Sequence, residues 1–405
     1  MRPGARTRRS QSCCDSQPGW ESSSMDIISV PGSQIIQVAR AAAARRGVAF
    51  LCFGESDVSS PASAQAALKR ALDEGDTKYP DVRGIPELRE AIASYLTALH
   101  AREVPEDRVQ VVASGMAAIS VALAFTVRAG DRVLVHGPVW PNILNAARLR
   151  QAQVTQVALR TDGSGKFMLD MDELSSALPG HRVFILNSPN NPTGWTATRE
   201  ELQEILALCR RHDVWLISDE VYSRLVYSGA HAAPSLLDII SGDDRVVVCN
   251  SFSKTWAMTG WRVGWLVLPR GLRDPVANVV EVIHSGVAPF SQRGALAAIA
   301  DHSFVRGFQR HCAAGRSLTA DALSGLERIG YAVPDGSFFA FIRVDGMKNS
   351  LEFALTLVEK HGIAVAPGSA FGSTGEGYIR ICFGLERARL SHALSRLRTA
   401  LERVR

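Results

Sequence analysis

From about residue 57 to residue 290, short apolar runs alternate with segments whose apolar positions recur at helical spacing. The runs at 109–112, 132–135, 183–186, 214–217, 246–248 and 265–268 have strand length and are rich in Val, Ile and Leu. Between several of them lie helical patterns, such as 199–212 after an Asn-Pro-Thr-Gly turn. This alternation predicts an α/β unit whose mostly parallel sheet is covered by helices on both faces. Beyond residue 290 the pattern changes. Long amphipathic segments at 292–330 and 350–361 alternate with strands near 338–344 and 378–382, which predicts a smaller α+β domain. The early segment 26–54 is expected to return to it. The expected division is a large domain over 57–290 and a small one from 25–56 and 291–405, with 1–24 a disordered, Arg- and Ser-rich extension.

Ligands of open α/β sheets bind at the carboxyl ends of the strands, so the residues that follow each run carry the chemistry. The first run opens into Ala113-Ser114-Gly115-Met116-Ala117, where small residues start a helix. Free N–H groups at such a start can cradle a phosphate, and the same residues also read as a plain strand-to-helix turn. Trp140 follows the second run and offers a ring to stack on, or simple packing. After the third run, Asn187-Ser188-Pro189-Asn190-Asn191-Pro192-Thr193-Gly194 presents the Asn191 amide in a turn that also fits an Asx turn before the next helix. Asp219 and Tyr222 follow the fourth run. A carboxylate there can pair with a protonated pyridine nitrogen, or cap a helix.

The fifth run leads into Ser251-Phe252-Ser253-Lys254, eight residues before Arg262. A lysine there can form an imine with an aldehyde cofactor while neighbouring hydroxyls and an arginine hold the cofactor's phosphate. Only six lysines exist in the chain (Lys69, Lys78, Lys166, Lys254, Lys348 and Lys360), so few compete for the role. Each element alone has a bland reading. Phosphate cradle, aromatic ring, amide, carboxylate and lysine at successive strand ends together fit pyridoxal 5′-phosphate.

Composition narrows the picture further. With 45 basic against 40 acidic residues the net charge is +5, part of it from Arg2, Arg6, Arg8 and Arg9. No basic stripe interleaved with aromatics follows, so nucleic-acid binding is not expected. The seven cysteines form no Cys-x-x-Cys pair and read as reduced core thiols of a cytoplasmic protein, and no histidine pattern indicates a metal. No apolar stretch is long enough to predict a membrane span.

The motifs over 187–194, 218–222 and 251–264, with Gly54-Glu55-Ser56-Asp57, the run 79–86 and Tyr378-Ile379-Arg380, resemble the class I/II aminotransferases of pyridoxal-phosphate fold type I, in their aspartate-aminotransferase-like branch. The resemblance runs from about Ile36 to the C-terminus. It implies the fold type I architecture, with a large domain built on a mostly parallel seven-stranded-type sheet. Lys254 becomes the Schiff-base lysine and the base that moves the substrate proton. Asp219 keeps the pyridine nitrogen protonated, Asn191 and Tyr222 hold the phenolic oxygen, and Trp140 stacks on the ring. Ser114, Gly115, Met116, Ser251 and Arg262 meet the phosphate, joined by Tyr79 from the other subunit of a homodimer. Arg380 and Asn191, with the backbone at Gly54, receive the substrate carboxylate.

The implied activity is a ping-pong transfer of an amino group between an L-amino acid and a 2-oxo acid. Met116 stands where some relatives carry a lysine, and 284–292 offers no arginine before Gln292, so a non-acidic donor is expected. The same motifs also serve carbon–sulfur β-lyases and amino-acid oxidases or hydroxylases. A non-catalytic regulator of this fold is the remaining alternative, and it lacks support while Lys254, Asp219 and Arg380 are all present.

Overall fold

The computed structural model describes residues 29–403; the expected extension over 1–24 lies outside them. Eight strands form the large sheet: β1 (Val109–Val112), β2 (Arg132–Gly137), β3 (Gln153–Thr161), β4 (Phe167–Leu169), β5 (Val183–Asn187), β6 (Trp215–Asp219), β7 (Val246–Ser251) and β8 (Gly264–Val267). Their order is β1-β8-β7-β6-β5-β2-β3-β4. Strands β7, β6, β5, β2 and β3 are parallel, whereas β8 runs antiparallel to both β1 and β7. The reversal has a spatial consequence. The start of β8 lies at the edge where β1 and β7 end, so residues around Gly264 join the carboxyl ends of the parallel strands.

The continuous apolar runs arise because both faces of the sheet are covered. Val183 and Ile185 of β5 enter one core cluster with Ile119, Ile143 and Val276 from the helices of one face, while Phe184 and Leu186 enter another with Leu88, Ile92 and Leu202. Strands β3 and β4, which the apolar runs did not predict, lie at the open edge. Polar and apolar residues are mixed in Gln153–Thr161, where only Val157 and Leu159 are buried and both ends of the strand are exposed. With the three-residue β4 added, the sheet exceeds the seven strands expected.

Four of the remaining strands form a sheet in the order Ile329–Gly330, Phe339–Val344, Tyr378–Cys382, Ala366–Pro367. Ala49–Phe50 pairs in parallel with Ile363–Ala364, which ties the early segment to the C-terminal part of the chain. The amphipathic stretch expected over 292–330 divides into two helices, Pro289–Ile299 and His302–Leu323. Asp301 separates them and caps the second by accepting from the Phe304 N–H at 3.0 Å. Val221, Tyr222 and Leu225, just past β6, pack into the cluster that contains Phe338, Phe339 and Phe383. The carboxyl edge of the large sheet is thus closed from above by the smaller one. Among the described residues no helix is long and apolar enough to cross a membrane.

Candidate active site

A cavity of about 310 Å³ opens at this edge. Gly54, Gly115, Met116, Trp140, Asn191, Asp219, Tyr222, Ser251, Lys254 and Arg262, all singled out from the sequence, line it. Three others do not. Ser114 sits just behind, capping the helix Gly115–Thr126 by accepting from the Ala117 N–H at 3.0 Å. Arg380 lies beneath Gly54, whose Cβ, if present, would come within 3.9 Å of Arg380 Nη1. Tyr79 is 92% exposed and lines no part of the cavity within its own chain.

Lys254 and Asp219 share the cavity, carried there by the ends of adjacent parallel strands. Burial drives the lysine down to about 8, against smaller opposing pulls from Glu55 and Asp219. Its Nζ donates to the Gly54 carbonyl. Near neutral pH this amine therefore carries a much larger uncharged, nucleophilic fraction than a surface lysine. Burial pushes the Asp219 carboxyl up to about 7, partly offset by a bond from the Val221 N–H and by the charge of Lys254. Among the described residues, the carboxylate accepts two bonds, from Val221 N at 3.4 Å and from Asn187 Nδ2 at 3.2 Å. An ionised carboxylate has about four acceptor positions, so capacity remains on its cavity side for a cationic N–H.

The opposite end of the cavity is built for an anion. The twelve-residue helix Gly115–Thr126 points its first N–H groups at it, and Gly115 leaves no side chain in the way: a Cβ there would press on Val221 at 3.0 Å. Gly264 is tighter still, since its Cβ would fall 2.7 Å from the Ser114 carbonyl carbon and 2.8 Å from the Asn250 oxygen. Arg262 sits at a left-handed backbone position (φ 56°) that turns the chain between the Thr259–Trp261 turn and β8. Its Nη1 donates to Thr259 O, and no carboxylate pairs with it among the described residues. Ser251 ends β7 beside it.

Arg380 is fully buried. Its guanidinium lies over the Phe339 ring at 4.3 Å and the Phe371 ring at 5.0 Å. Nη1 donates to Asn191 Oδ1 at 2.9 Å, Nη2 donates to Cys52 O, and Nε has no partner. Burying a cation without a counter-ion is costly, and no acid answers it among the described residues. Tyr222 packs edge-on against Phe338 and Phe339 at 5.5 and 5.6 Å, and burial holds its phenol above the ordinary range. The bond between Gly137 and Pro138, and those preceding Pro189 and Pro192, are cis; the last two shape the turn that carries Asn191. Asn190 closes this turn by accepting from Thr193 N and Oγ1, three residues on, at 2.9 and 2.7 Å, so it is not the Asx turn before the next helix that the sequence also allowed. Thr198 and Glu201, in a capping box, start the following helix.

Several lining residues carried no role in the sequence reading. Asn187 bonds Asp219, and His136 accepts from the Asn187 N–H at 2.9 Å through Nε2. Glu55 accepts from Thr259 Oγ1 at 3.0 Å near the mouth, beside Phe53 and Asn142. A polar residue directly after an apolar run, as Asn187 after 183–186 and His136 after 132–135, is the signal that could have found them. Taken together, the donor set fits pyridoxal phosphate: a depressed amine, a carboxylate with spare capacity, and a glycine-walled anion cradle with an arginine. Among the described residues no group of His, Cys, Asp and Glu is placed to hold a metal.

The profile of the family described as aminotransferase class I and II matches residues 47–397. An aspartate aminotransferase of Pyrococcus horikoshii is 30% identical over 381 residues, covering 93% of this chain and 96% of that protein. An aromatic-amino-acid aminotransferase of Thermococcus litoralis is 32% identical over 364 residues, with coverage of 88% and 92%. A crystal structure of an aminotransferase from Mycobacterium tuberculosis superimposes with a TM-score of 0.85 at 32% identity, over 92% of this chain and 97% of that one.

Proposed function

The chain belongs to the class I and II aminotransferases, a pyridoxal-phosphate-dependent enzyme that moves amino groups between amino acids and 2-oxo acids, and on that premise we propose residue roles and a donor class. The observation that carries the roles is that Lys254 and Asp219 line one cavity with the helix start at Gly115. The cofactor, when bound, supplies an aldehyde for reversible linkage to amines and a ring that withdraws electrons from the substrate Cα.

Lys254 holds the cofactor and, as a neutral amine, takes and returns the proton at the substrate Cα. Asp219 keeps a positive charge at the ring nitrogen by offering its unfilled acceptor positions. Asn191 and Tyr222 face the ring's phenolic oxygen, and Trp140 covers the ring. The N–H groups of Gly115 and Met116, with Ser114, Ser251 and Arg262, anchor the phosphate. Arg380 takes the substrate α-carboxylate, which supplies the counter-ion this buried guanidinium lacks, while Gly54 lets that carboxylate approach. Holding the donor at carboxylate and cofactor fixes its Cα–H near Lys254 and converts orientation into rate. Tyr79, exposed in its own chain, reaches the phosphate of a second copy in a homodimer. The division into a 57–290 lobe and a lobe of 25–56 with 291–405 is proposed on the same footing, supported by the pairing of Ala49–Phe50 with Ile363–Ala364.

The donor is a non-acidic L-amino acid. Among the described residues, the basic groups lining the cavity are Lys254 and Arg262, and both already have tasks. Gln292 is buried, accepting from Ile85 N at 2.8 Å and donating to Val287 O at 2.6 Å. Arg293 is turned to Asp76 and Glu87 at 3.1 and 3.0 Å. Among the described residues of this chain no cation is left for a distal carboxylate.

The test is a titration of the purified holoenzyme with single amino acids in the absence of an oxo acid, following conversion of the bound cofactor to its amine form by absorbance. Neutral or aromatic donors are expected to convert it at least tenfold more efficiently than aspartate or glutamate. A preference for aspartate would overturn the donor class, and pyruvate with ammonia, or oxygen uptake, would show lyase or oxidase chemistry instead.

A further inference from the structure

Asn187 closes β5 directly opposite Asp219, which closes β6; the two are register partners in the parallel ladder. The Asn187 side chain is 99% enclosed, and every one of its polar atoms is used. Oδ1 accepts from the Asn191 N–H at 2.9 Å and from Asn190 Nδ2 at 3.3 Å. A backbone N–H can only donate, so the amide is oriented with Oδ1 toward the turn and Nδ2 toward Asp219. Nδ2 then donates to Asp219 Oδ2 and to its carbonyl, each at 3.2 Å. From behind, His136 Nε2 accepts the Asn187 N–H at 2.9 Å. Asn191 in turn bonds Arg380. One amide therefore links the carboxylate at one side of the site to the turn and the arginine at the other.

We propose that Asn187 is a positioning residue that holds the Asp219 carboxylate and the Asn191 turn at one separation and so sets how tightly the site takes pyridoxal phosphate. The proposal rests on the reading of the site given above and adds to it a residue without a role there. Asn187 is the only side chain that donates to the Asp219 carboxylate among the described residues. The other groups facing that carboxylate do not replace it. Glu220 turns its own carboxyl to Ser218, Ser235 and Leu236. Burial keeps the Cys249 thiol and the Tyr222 phenol neutral. His136 is an acceptor held low, at about 4, by burial. Among the described residues, Lys254 is the cation whose charge acts on the Asp219 carboxylate. A hydrogen bond to the charged form favours ionisation, so losing the Asn187 amide lets burial push Asp219 higher.

The experiment measures the affinity of the apoenzyme for pyridoxal phosphate from pH 5.5 to 8.5 in the wild type, Asn187→Leu and Asn187→Asp. Asn187→Leu should bind about tenfold more weakly, the worth of one hydrogen bond to a charged group. The pH below which its binding weakens should also move up. Asn187→Asp should behave in the opposite sense, close to wild type in acid, where its protonated form still donates, and progressively weaker as pH rises and a second charge faces Asp219. Wild-type affinity at every pH in both variants, or a uniform loss with no change in pH profile, would overturn the proposal and leave Asn187 a packing residue. If Asn187→Leu does not fold, the pH trend of Asn187→Asp decides alone. A wild type that binds no pyridoxal phosphate would sink the reading of the site itself, an outcome separable from either variant result.

Discussion

Two neighbouring acids at the end of β6 face opposite sides of the same strand and live by different rules. Asp219 looks into the cavity and Glu220 into the loop that begins at Ser235. Both are buried, and burial raises both above the usual carboxylate range. Glu220 is held on both oxygens by three donors, Ser218 Oγ, Ser235 Oγ and Leu236 N–H, at 3.0, 2.6 and 3.2 Å. Asp219 receives two long bonds and keeps open positions. A buried polar group with all its partners holds structure together, whereas one left short of partners waits for a ligand. Chemistry and burial alone do not separate the two; the count of partners does.

The sharpest way to break this comparison is to truncate each acid in turn. Asp219→Ala should lower amino transfer by about 10³-fold or more while the apoprotein's stability stays within about 1 kcal/mol, because few native partners are lost. Glu220→Ala should do the reverse. Stability should drop by roughly 2–4 kcal/mol as Ser218, Ser235 and Leu236 lose their acceptor, with activity per folded molecule within about tenfold. Steady-state kinetics and urea titrations on both variants measure this, and equal patterns would refute the distinction.

Arg380 extends the same rule to a cation. Arg380→Lys should cut kcat/KM about a hundredfold for every donor, mostly through KM, since a lysine cannot form the forked pair or stack between Phe339 and Phe371. A donor-dependent loss would place Arg380 at the side chain of the substrate instead.

The smallest effect lies in the pH dependence of the apoprotein. Asp219 has its folded pKa raised to about 7 from 3.8, so the native state binds its proton more tightly than the unfolded chain. The associated stability is full below about pH 4 and is lost as pH rises through 7. Melting of the apoprotein should therefore fall by a few degrees across that window. Asp219→Asn should flatten the part of the slope that Glu220 does not cause, and an unchanged slope would contradict the assignment.

Much of this arrangement was legible before the fold. Strand-length apolar runs followed by Ser114, Trp140, Asn191, Asp219 and Lys254 marked the carboxyl edge, because buried parallel strands leave little room for polar residues except where they end. What stayed hidden has physical causes. The strands β3 and β4, at the edge of the sheet, are only partly buried and carry mixed polarity, so no apolar run announced them. The reversal of β8, which brings Gly264 and Arg262 into the site, is a pairing choice that local pattern does not encode. Asn187 stood inside a quoted motif, yet its role depends on the register that sets it beside Asp219. Glu220 carried no reading of its own in the sequence, and the donors arriving from residues 235 and 236 mark it as structural.

The central claim is that the amine of Lys254 carries the cofactor in the cavity faced by Asp219. Borohydride reduction of the holoenzyme, followed by digestion and mass spectrometry, tests it most directly. The account predicts a stoichiometric phosphopyridoxyl mass on the peptide that contains Lys254 and on no other. The same mass on one of the other five lysines, or on none, would contradict it.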